Sequence, residues 1–207
     1  MSLIVNLGCR GITPLLTNRM SESTLEGLRT KIKKPKAANI GTTRTPREEA
    51  GEKVYLHGSK SAIPGENLMS CLIAAGCFIR LDGKRMISNA KSTLLPGFMS
   101  LLTPVIMLVD PDDSKQEAKW EPDVRKGTNP NGGEAVAICR PRWDRWAFAA
   151  QIEIETDEIG ENAIRDLWDK AGRRIGLGDF RPQRKGIFGR FVIEKWVRAE
   201  EVKAAAE

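Results

Sequence analysis

Histidine and tyrosine are nearly missing from this chain of 207 residues, which has one of each, His57 and Tyr55. A structural zinc site is not expected, because only one histidine is available as a ligand. No Ser-His-Asp arrangement can be recognised, so a general base would have to be His57 or a carboxylate. A lone histidine at the end of a strand more often has a structural role. His57 is therefore kept only as a candidate general base.

Cysteine is also sparse, with four residues and no C-x-x-C pair. Three of the four lie in apolar surroundings, which is typical of small buried thiols in a reducing compartment. The cysteines are Cys9, Cys71, Cys77 and Cys139. We therefore expect neither a disulfide framework nor a metal site built on thiolates.

Long apolar runs are missing as well. No window reaches the ~18 uninterrupted apolar residues that a membrane span needs. The longest apolar stretch, "FMSLLTPVIMLV" at 98–109, is too short and contains Thr103 and Pro104. The N-terminal "MSLIVNLGC" has no basic region and turns polar too soon for a signal peptide. We expect a soluble, cytoplasmic protein without a membrane partner, folded as one domain over residues 1–207.

The phosphate-binding motifs of nucleotide enzymes are absent. "HGSKS" places Ser59 between Gly58 and Lys60, and Gly51 is at the wrong distance upstream for a Walker A loop. "GLGDFR" lacks the third glycine of a dinucleotide fingerprint and follows a helix, where that motif must follow a strand. The clustered aspartates lie in turns, where Asp is favoured for local backbone hydrogen bonds. The sequence therefore predicts no cofactor and no metal.

Positive charge is concentrated in two places, although the net charge is only +6. Nine Lys or Arg stand against three Glu between residues 29 and 60, a segment that includes Lys33 and Lys34. Residues 173–190 contain six Lys or Arg and only one Asp. Two separated basic segments are typical of a protein that binds a polyanion, usually a phosphate backbone, although a solvated basic face gives the same pattern.

Hydrophobic periodicity predicts both strands and helices in a definite order. Alternation predicts strands at 3–9 and 145–155, and a last strand at the end of "FGRFVIEKWV". Helical spacing predicts one helix in "SAIPGENLMSCLIAAG" and another from a cap at Asp157 to about Ala171. The order strand, helix, strands, strand, helix, strand predicts an α+β, ferredoxin-like (RRM-like) antiparallel sheet with its helices on one face.

Two segments are predicted to be insertions into this domain. Residues 31–53 contain almost no large apolar groups and read as a basic, flexible insertion. The second, at about 111–142, contains "WEPDVRKGTNPNGGEAVAICRPRW", which predicts a protruding hairpin with "GTNPNGG" at its tip.

The segment "AGRRIGLGDFRPQRKGIFGRF" (171–191) combines five glycines with six Lys or Arg. Glycines let backbone N–H groups approach a ligand, and successive N–H groups form anion-binding concavities. Arginine adds forked donors for phosphate oxygens. The segment therefore has the chemistry to hold a phosphodiester chain. The alternative is that its glycines cap the preceding helix and form a turn while its arginines face water.

Three stretches together resemble the RAMP superfamily, the ferredoxin-like RNA-binding subunits of CRISPR systems. "GLGDFRPQRKGIFGRF" before a terminal strand resembles the glycine-rich loop of that family. "VNLGCRGITPLL" resembles its first strand, and "SAIPGENLMSCLIAAG" resembles its first helix. The resemblance covers about residues 3–20, 54–100 and 143–197, and is greatest to the effector backbone subunits and their stand-alone phage homologues.

The resemblance implies a palm formed by the sheet and a thumb-like hairpin at 111–142. It also implies single-stranded RNA or DNA, copies of the protein itself and other CRISPR-type subunits as partners. The implied nucleic-acid-binding residues are Arg173, Arg174, Gly176, Gly178, Arg181, Arg184, Lys185 and Arg190, with Lys33, Lys34, Lys60 and Lys91 as further basic residues.

The function expected from these observations is non-catalytic binding of single-stranded nucleic acid, RNA in preference to DNA, along its phosphates. Repeated subunits in a CRISPR-type ribonucleoprotein or filament would fit that role. Two alternatives remain open from the sequence. One is a metal-independent endoribonuclease that uses His57 as its base, and the other is a phage-encoded mimic of a CRISPR subunit that blocks assembly.

Overall fold

The structure, a computed structural model, describes residues 2–30, 44–81, 83–128, 133 and 135–199. Lys33 and Lys34 lie outside the described residues. The strands are β1 (Ser2–Gly11), β2 (Leu15–Leu16), β3 (Leu56–His57), β4 (Lys60–Pro64), β5 (Arg80–Leu81), β6 (Arg85–Met86), β7 (Met99–Leu101), β8 (Val105–Met107), β9 (Glu121–Thr128), β10 (Ala135–Trp143), β11 (Ala147–Glu155) and β12 (Phe191–Arg198). The helices are α1 (Glu22–Thr30), α2 (Pro46–Gly51), α3 (Gly65–Ala75) and α4 (Glu161–Lys170).

A four-stranded antiparallel sheet in the order β12-β1-β11-β7 forms the centre of the molecule. β1 is followed by α3 and then β7, whereas β11 is followed by α4 and then β12. This is the βαββαβ order of the ferredoxin-like fold, with the last strand beside the first. The predicted α+β, ferredoxin-like fold is confirmed. The other described strands, together with α1 and α2, are insertions between these six elements.

The hydrophobic core lies between this sheet and α3 and α4. Alternate residues of β1 and β11 are buried there, as the period of two predicts. The buried helix residues are Leu68, Cys71, Leu72, Ala75, Ile164, Leu167 and Trp168. Each large apolar side chain removed from water contributes roughly 1.5–3 kcal/mol. Trp146, Phe148 and Trp168 are buried in this core, so these aromatic residues do not form an exposed platform for bases.

The second long helix differs from its prediction at both ends. Gly160 occupies the N-cap position, so α4 begins at Glu161 and Asp157 does not cap it. At the other end the chain continues through a π-helical turn, Ala171–Ile175, and stops at Gly176, whose φ is 77°. The wider turn carries the chain from α4 directly into the glycine-rich segment.

The predicted hairpin is present as β9 and β10, which pair antiparallel from Glu121 to Thr128. Its tip falls mostly outside the described residues. The prediction of a flexible segment at 31–53 differs from the structure in its second part. Thr45 and Glu48 form a capping box that starts α2, and Ala50 is fully buried. The capping hydrogen bonds satisfy two amides at the start of this short helix, and Ala50 is buried where α2 contacts β9 and β10.

Three of the cysteines, Cys9, Cys71 and Cys139, are buried free thiols, whereas Cys77 is exposed. Burial raises the pKa of the Cys71 thiol to about 12, so it stays protonated at neutral pH. Among the residues that the structure describes, no group of three or more His, Cys, Asp or Glu could hold a metal ion. In the same ranges, no helix has the length and apolar character needed to cross a bilayer.

Candidate nucleic-acid interface

The glycine-rich loop, residues 171–190, crosses the chain segment that joins β1 to β2. The amide of Asp179 donates to the carbonyl of Leu16 at 2.7 Å, and the amide of Gly189 donates to the carbonyl of Pro14 at 2.7 Å. The amide of Leu177 donates to the carbonyl of Gly189 at 2.8 Å, which closes the loop on itself. The loop is therefore an ordered part of the fold, fixed against the beginning of the chain.

The glycines of the loop permit these close backbone contacts. Gly178 has a φ of 71°, and a Cβ at this position would lie 2.1 Å from the carbonyl oxygen of Leu16. A Cβ on Gly186 would lie 1.6 Å from the carbonyl oxygen of Phe180. No other residue fits either position without displacing backbone.

Most loop amides are occupied by hydrogen bonds within the fold, which differs from the expected concavity of free N–H groups. The occupied amides belong to Gly176, Leu177, Asp179, Phe180, Arg184, Lys185, Gly186, Phe188, Gly189 and Arg190. A ligand at this loop therefore meets mainly side chains. The glycines shape the backbone that carries those side chains, and Gly176 and Gly178 also line the groove described next.

A polar groove of about 320 Å³ runs beside the loop. The loop forms one wall with Gly176, Leu177, Gly178, Asp179 and Arg181, and the first two turns of α3 provide Asn67 and Ser70. Thr17, Asn18, Tyr55 and Ile63 complete the lining. Hydroxyl, amide and guanidinium groups thus converge on one space, which suits a ligand rich in hydrogen-bond acceptors.

The cations of the loop fall into two groups. Arg181 lines the groove, where its Nη1 donates to the carbonyl of Gly178 at 2.7 Å and its Nε and Nη2 donate to Oε1 of Gln183 at 3.2 and 3.0 Å. Arg184 and Lys185 follow in the next turn and are exposed, and their side chains make no hydrogen bond or ion pair with any residue that the structure describes. Arg184 and Lys185 are therefore available to an anion close to the groove wall, whereas Arg181 would meet an anion in the groove by exchanging its contacts within the loop.

The other predicted arginines of the loop have partners elsewhere. The Nε of Arg173 lies 2.7 Å from Oδ1 of Asp169, and Arg174 lies over the ring of Phe78 at 5.1 Å. Arg190 donates from Nε to the carbonyl of Arg173 at 3.0 Å. None of the three lines the groove.

The remaining predicted residues lie on other elements. Lys60 is on β4 and His57 is on β3, where the two residues pair across the strands, and both are exposed. Lys91 is exposed in the turn after β6, where its amide donates to Asn89. None of these residues lines the groove. No partner that would orient His57 as a general base contacts it within the described ranges.

Charged and aromatic contacts attach the β9–β10 hairpin to the glycine-rich loop. The Nε of Arg140 on β10 lies 2.8 Å from Oδ2 of Asp179. Arg125 on β9 lies 4.7 Å from the centroid of the Phe188 ring. Asp179, the one carboxylate among the described residues that line the groove, is therefore paired with an arginine, which weakens its repulsion of a bound anion.

Asp123 on β9 holds two of the hairpin arginines in place. Its side chain is 6% exposed and accepts hydrogen bonds from Arg125 at 2.5 and 3.0 Å and from Arg142 at 3.1 Å. The hydrogen bond from Arg125 is the main cause that lowers the pKa of Asp123, with Arg142 adding to it and burial opposing it.

Replacing Asp123 with Asn is expected to lower the free energy of unfolding by about 2 kcal/mol at pH 7, because two arginines lose their charged partner. A carboxylate with a lowered pKa stabilises the fold above its unfolded pKa, and this contribution is lost as the pH falls through the folded value. The difference between the two proteins should therefore shrink below about pH 4.

Urea unfolding at a series of pH values measures this effect. Asp144→Asn is the matched control, because Asp144 also pairs with Arg142 but is exposed. It should cost about 0.5 kcal/mol or less. A difference between wild type and Asp123→Asn that stays constant down to pH 3 would contradict the assignment.

Several groove residues were not predicted from the sequence, namely Thr17, Asn18, Tyr55, Asn67 and Ser70. The spacing of Asn67 and Ser70 carries a usable signal, since polar residues three apart near the start of an apolar helix share one face. Asn18 and Tyr55 carry no comparable signal, because only the fold brings them to the loop.

The fold and the groove together define a ferredoxin-like α+β domain with an ordered glycine-rich loop before its last strand. No protein-family model matches the chain, and no curated protein matches it. Among solved structures, a chain of type III-B Cmr-beta bound to cognate target RNA matches with a TM-score of 0.52 and 13% identity. The match covers 95% of this chain and 60% of that chain.

Cmr6 from Pyrococcus furiosus also matches, with a TM-score of 0.43 and 12% identity over 93% of this chain and 98% of that chain. The match to the Cmr-beta chain agrees with the ferredoxin-like fold that the resemblance implied. At these identities the likeness is one of fold. The present chain spans 60% of the length of the Cmr-beta chain that it matches.

Proposed function

We propose that this protein binds single-stranded nucleic acid, RNA in preference to DNA, along the phosphate backbone, as a non-catalytic subunit of a CRISPR-type ribonucleoprotein. The observation that carries the proposal is the groove between α3 and the glycine-rich loop. It presents Arg181, Asn67 and Ser70 together and is followed by the free cations Arg184 and Lys185.

The composition of the groove favours a phosphate chain over a small neutral ligand. Arginine donates in a fork that matches two phosphate oxygens, and amide and hydroxyl groups add neutral donors. The ion pair with Arg140 offsets the charge of Asp179, the one carboxylate in the described part of the lining. Among the described residues that line the groove, no unpaired carboxylate therefore faces an extended strand.

The similarity to Cmr-beta supports the choice of ligand and of partners. That structure is bound to cognate target RNA, and the present chain shares its fold over nearly the whole of its own length. A subunit with this fold is therefore expected to work beside other CRISPR-type subunits or copies of itself. RNA is favoured over DNA on the same ground.

Binding of a labelled oligouridine, followed by fluorescence anisotropy, tests the proposal. Three neutralised phosphates predict a slope of about −2 for log affinity against log salt, so affinity should fall about 15-fold from about 50 to about 200 mM salt. The matching oligodeoxyuridine should bind more weakly, and double-stranded RNA should compete poorly. Absence of binding at the lower salt, or binding insensitive to salt, would contradict the proposal.

A further inference from the structure

Phe180 has a backbone conformation that phenylalanine rarely adopts. Its φ is 50°, and the only other non-glycine residue with a positive φ among those described is Lys185, at 61°. In this region the Cβ of an L-residue crowds its own backbone, so glycine would be the less strained choice. Outliers of this kind cluster at ligand-binding sites, where the surrounding structure maintains them.

The surrounding loop holds Phe180 in this conformation. The amide of Phe188 donates to the carbonyl of Phe180 at 3.3 Å. Gly186 passes so close to that carbonyl that its missing side chain is required. The backbone contacts therefore fix the conformation of residue 180, but they do not require an aromatic side chain there.

The ring of Phe180 is left 44% exposed, although it belongs to a stack of three groups. The guanidinium of Arg125 lies 4.7 Å from the centroid of Phe188, which is buried. The ring of Phe188 lies 6.3 Å from that of Phe180, tilted by 39°. Phe180 is thus the exposed aromatic member of this stack, and its neighbour Phe188 is buried and contacts Arg125.

We propose that Phe180 stacks on a nucleobase of the bound strand, an inference that rests on the proposed function. An aromatic ring held by a rigid neighbour loses little conformational freedom when a base stacks on it. Arg181, Arg184 and Lys185 follow directly in the chain and would hold the phosphates on either side. Stacking tolerates every base, so this contact adds affinity without strong sequence preference.

Phe180→Gly is the sharpest test, because it removes the ring and also the steric reason for strain. The variant should be at least as stable as wild type to thermal unfolding, yet it should bind oligouridine about tenfold more weakly. Phe180→Trp should keep wild-type affinity, and Phe180→Leu should lose nearly as much as the glycine variant. Loss of binding without loss of stability separates stacking from a structural role.

An RNA that contains 2-aminopurine provides a direct readout of stacking. Its fluorescence should be quenched by the wild type and the Trp variant, and it should not be quenched by Phe180→Gly. Ile187→Ser is the matched control, since Ile187 is in the same loop and 69% exposed but outside the stack. The control should change affinity by less than about twofold.

The outcomes separate this inference from the proposed function. If the wild type binds no nucleic acid, the proposed function fails and stacking fails with it. If the wild type binds RNA and Phe180→Gly binds equally well, only the stacking inference is overturned. Loss of self-association in Phe180→Gly with unchanged RNA affinity would also overturn it and would assign the ring to a protein contact.

Discussion

Replacing Arg181, Arg184 and Lys185 together with alanine is expected to weaken the binding of oligouridine by roughly 100-fold at about 50 mM salt. The three cations neutralise phosphates and release counterions, so their loss removes most of the salt-dependent affinity. The slope of log affinity against log salt should fall in magnitude by about 2. Anisotropy titrations at several salt concentrations measure both quantities.

A variant with the same change in net charge shows whether position matters. Arg80, Lys84 and Arg85 are exposed on or beside the β5–β6 hairpin and do not line the groove, and their joint replacement with alanine should cost only a few-fold in affinity. Because Arg181 also contacts Gly178, the double variant Arg184→Ala/Lys185→Ala provides a check without that contact and should lose about tenfold. Equal losses in the two triple variants would show that net charge alone governs binding.

Gly178→Ala is expected to destabilise the fold strongly. The alanine Cβ would meet the carbonyl oxygen of Leu16 at 2.1 Å, and the φ of 71° disfavours any side chain. Together the clash and the strained conformation should lower the free energy of unfolding by about 3–4 kcal/mol. Nucleic-acid affinity should fall with it, because the wall of the groove is displaced.

Urea unfolding compares this variant with Gly97→Ala. A Cβ at Gly97 meets nothing within 4 Å, and its φ is not in the left-handed region. The control should therefore change stability by less than about 1 kcal/mol. Similar values for the two variants would mean that the loop moves away from Leu16 at little cost and is not the fixed element described above.

Three strands of the sheet, β1, β11 and β12, and its two helices could be predicted because their residues follow local periodicities, whereas the edge strand β7 was not predicted. Alternation in β1 and β11 and the spacing of Leu68, Cys71 and Leu72 depend only on which face of an element is buried. The predicted first residue of α4 was wrong because Asp157 and Gly160 both fit the N-cap position, and the local sequence does not decide between them. The π turn after Lys170 had no sequence signal at all.

The candidate site could be predicted only in part. The loop was found from its glycines and cations, and Arg181, Gly176 and Gly178 do line the groove. The remaining lining comes from three further segments of the chain, which only the folded sheet brings together. The sequence also does not show whether a glycine allows a close backbone contact or the approach of a ligand, because both require a residue without a side chain.

The ion pair between Arg140 and Asp179 and the contact of Arg125 with Phe188 join two parts of the chain that are far apart in sequence. Separating the hairpin from the loop would leave Arg140 and Asp179 without their charged partners and would uncover the ring of Phe188. The hairpin and the loop are therefore expected to move together rather than independently.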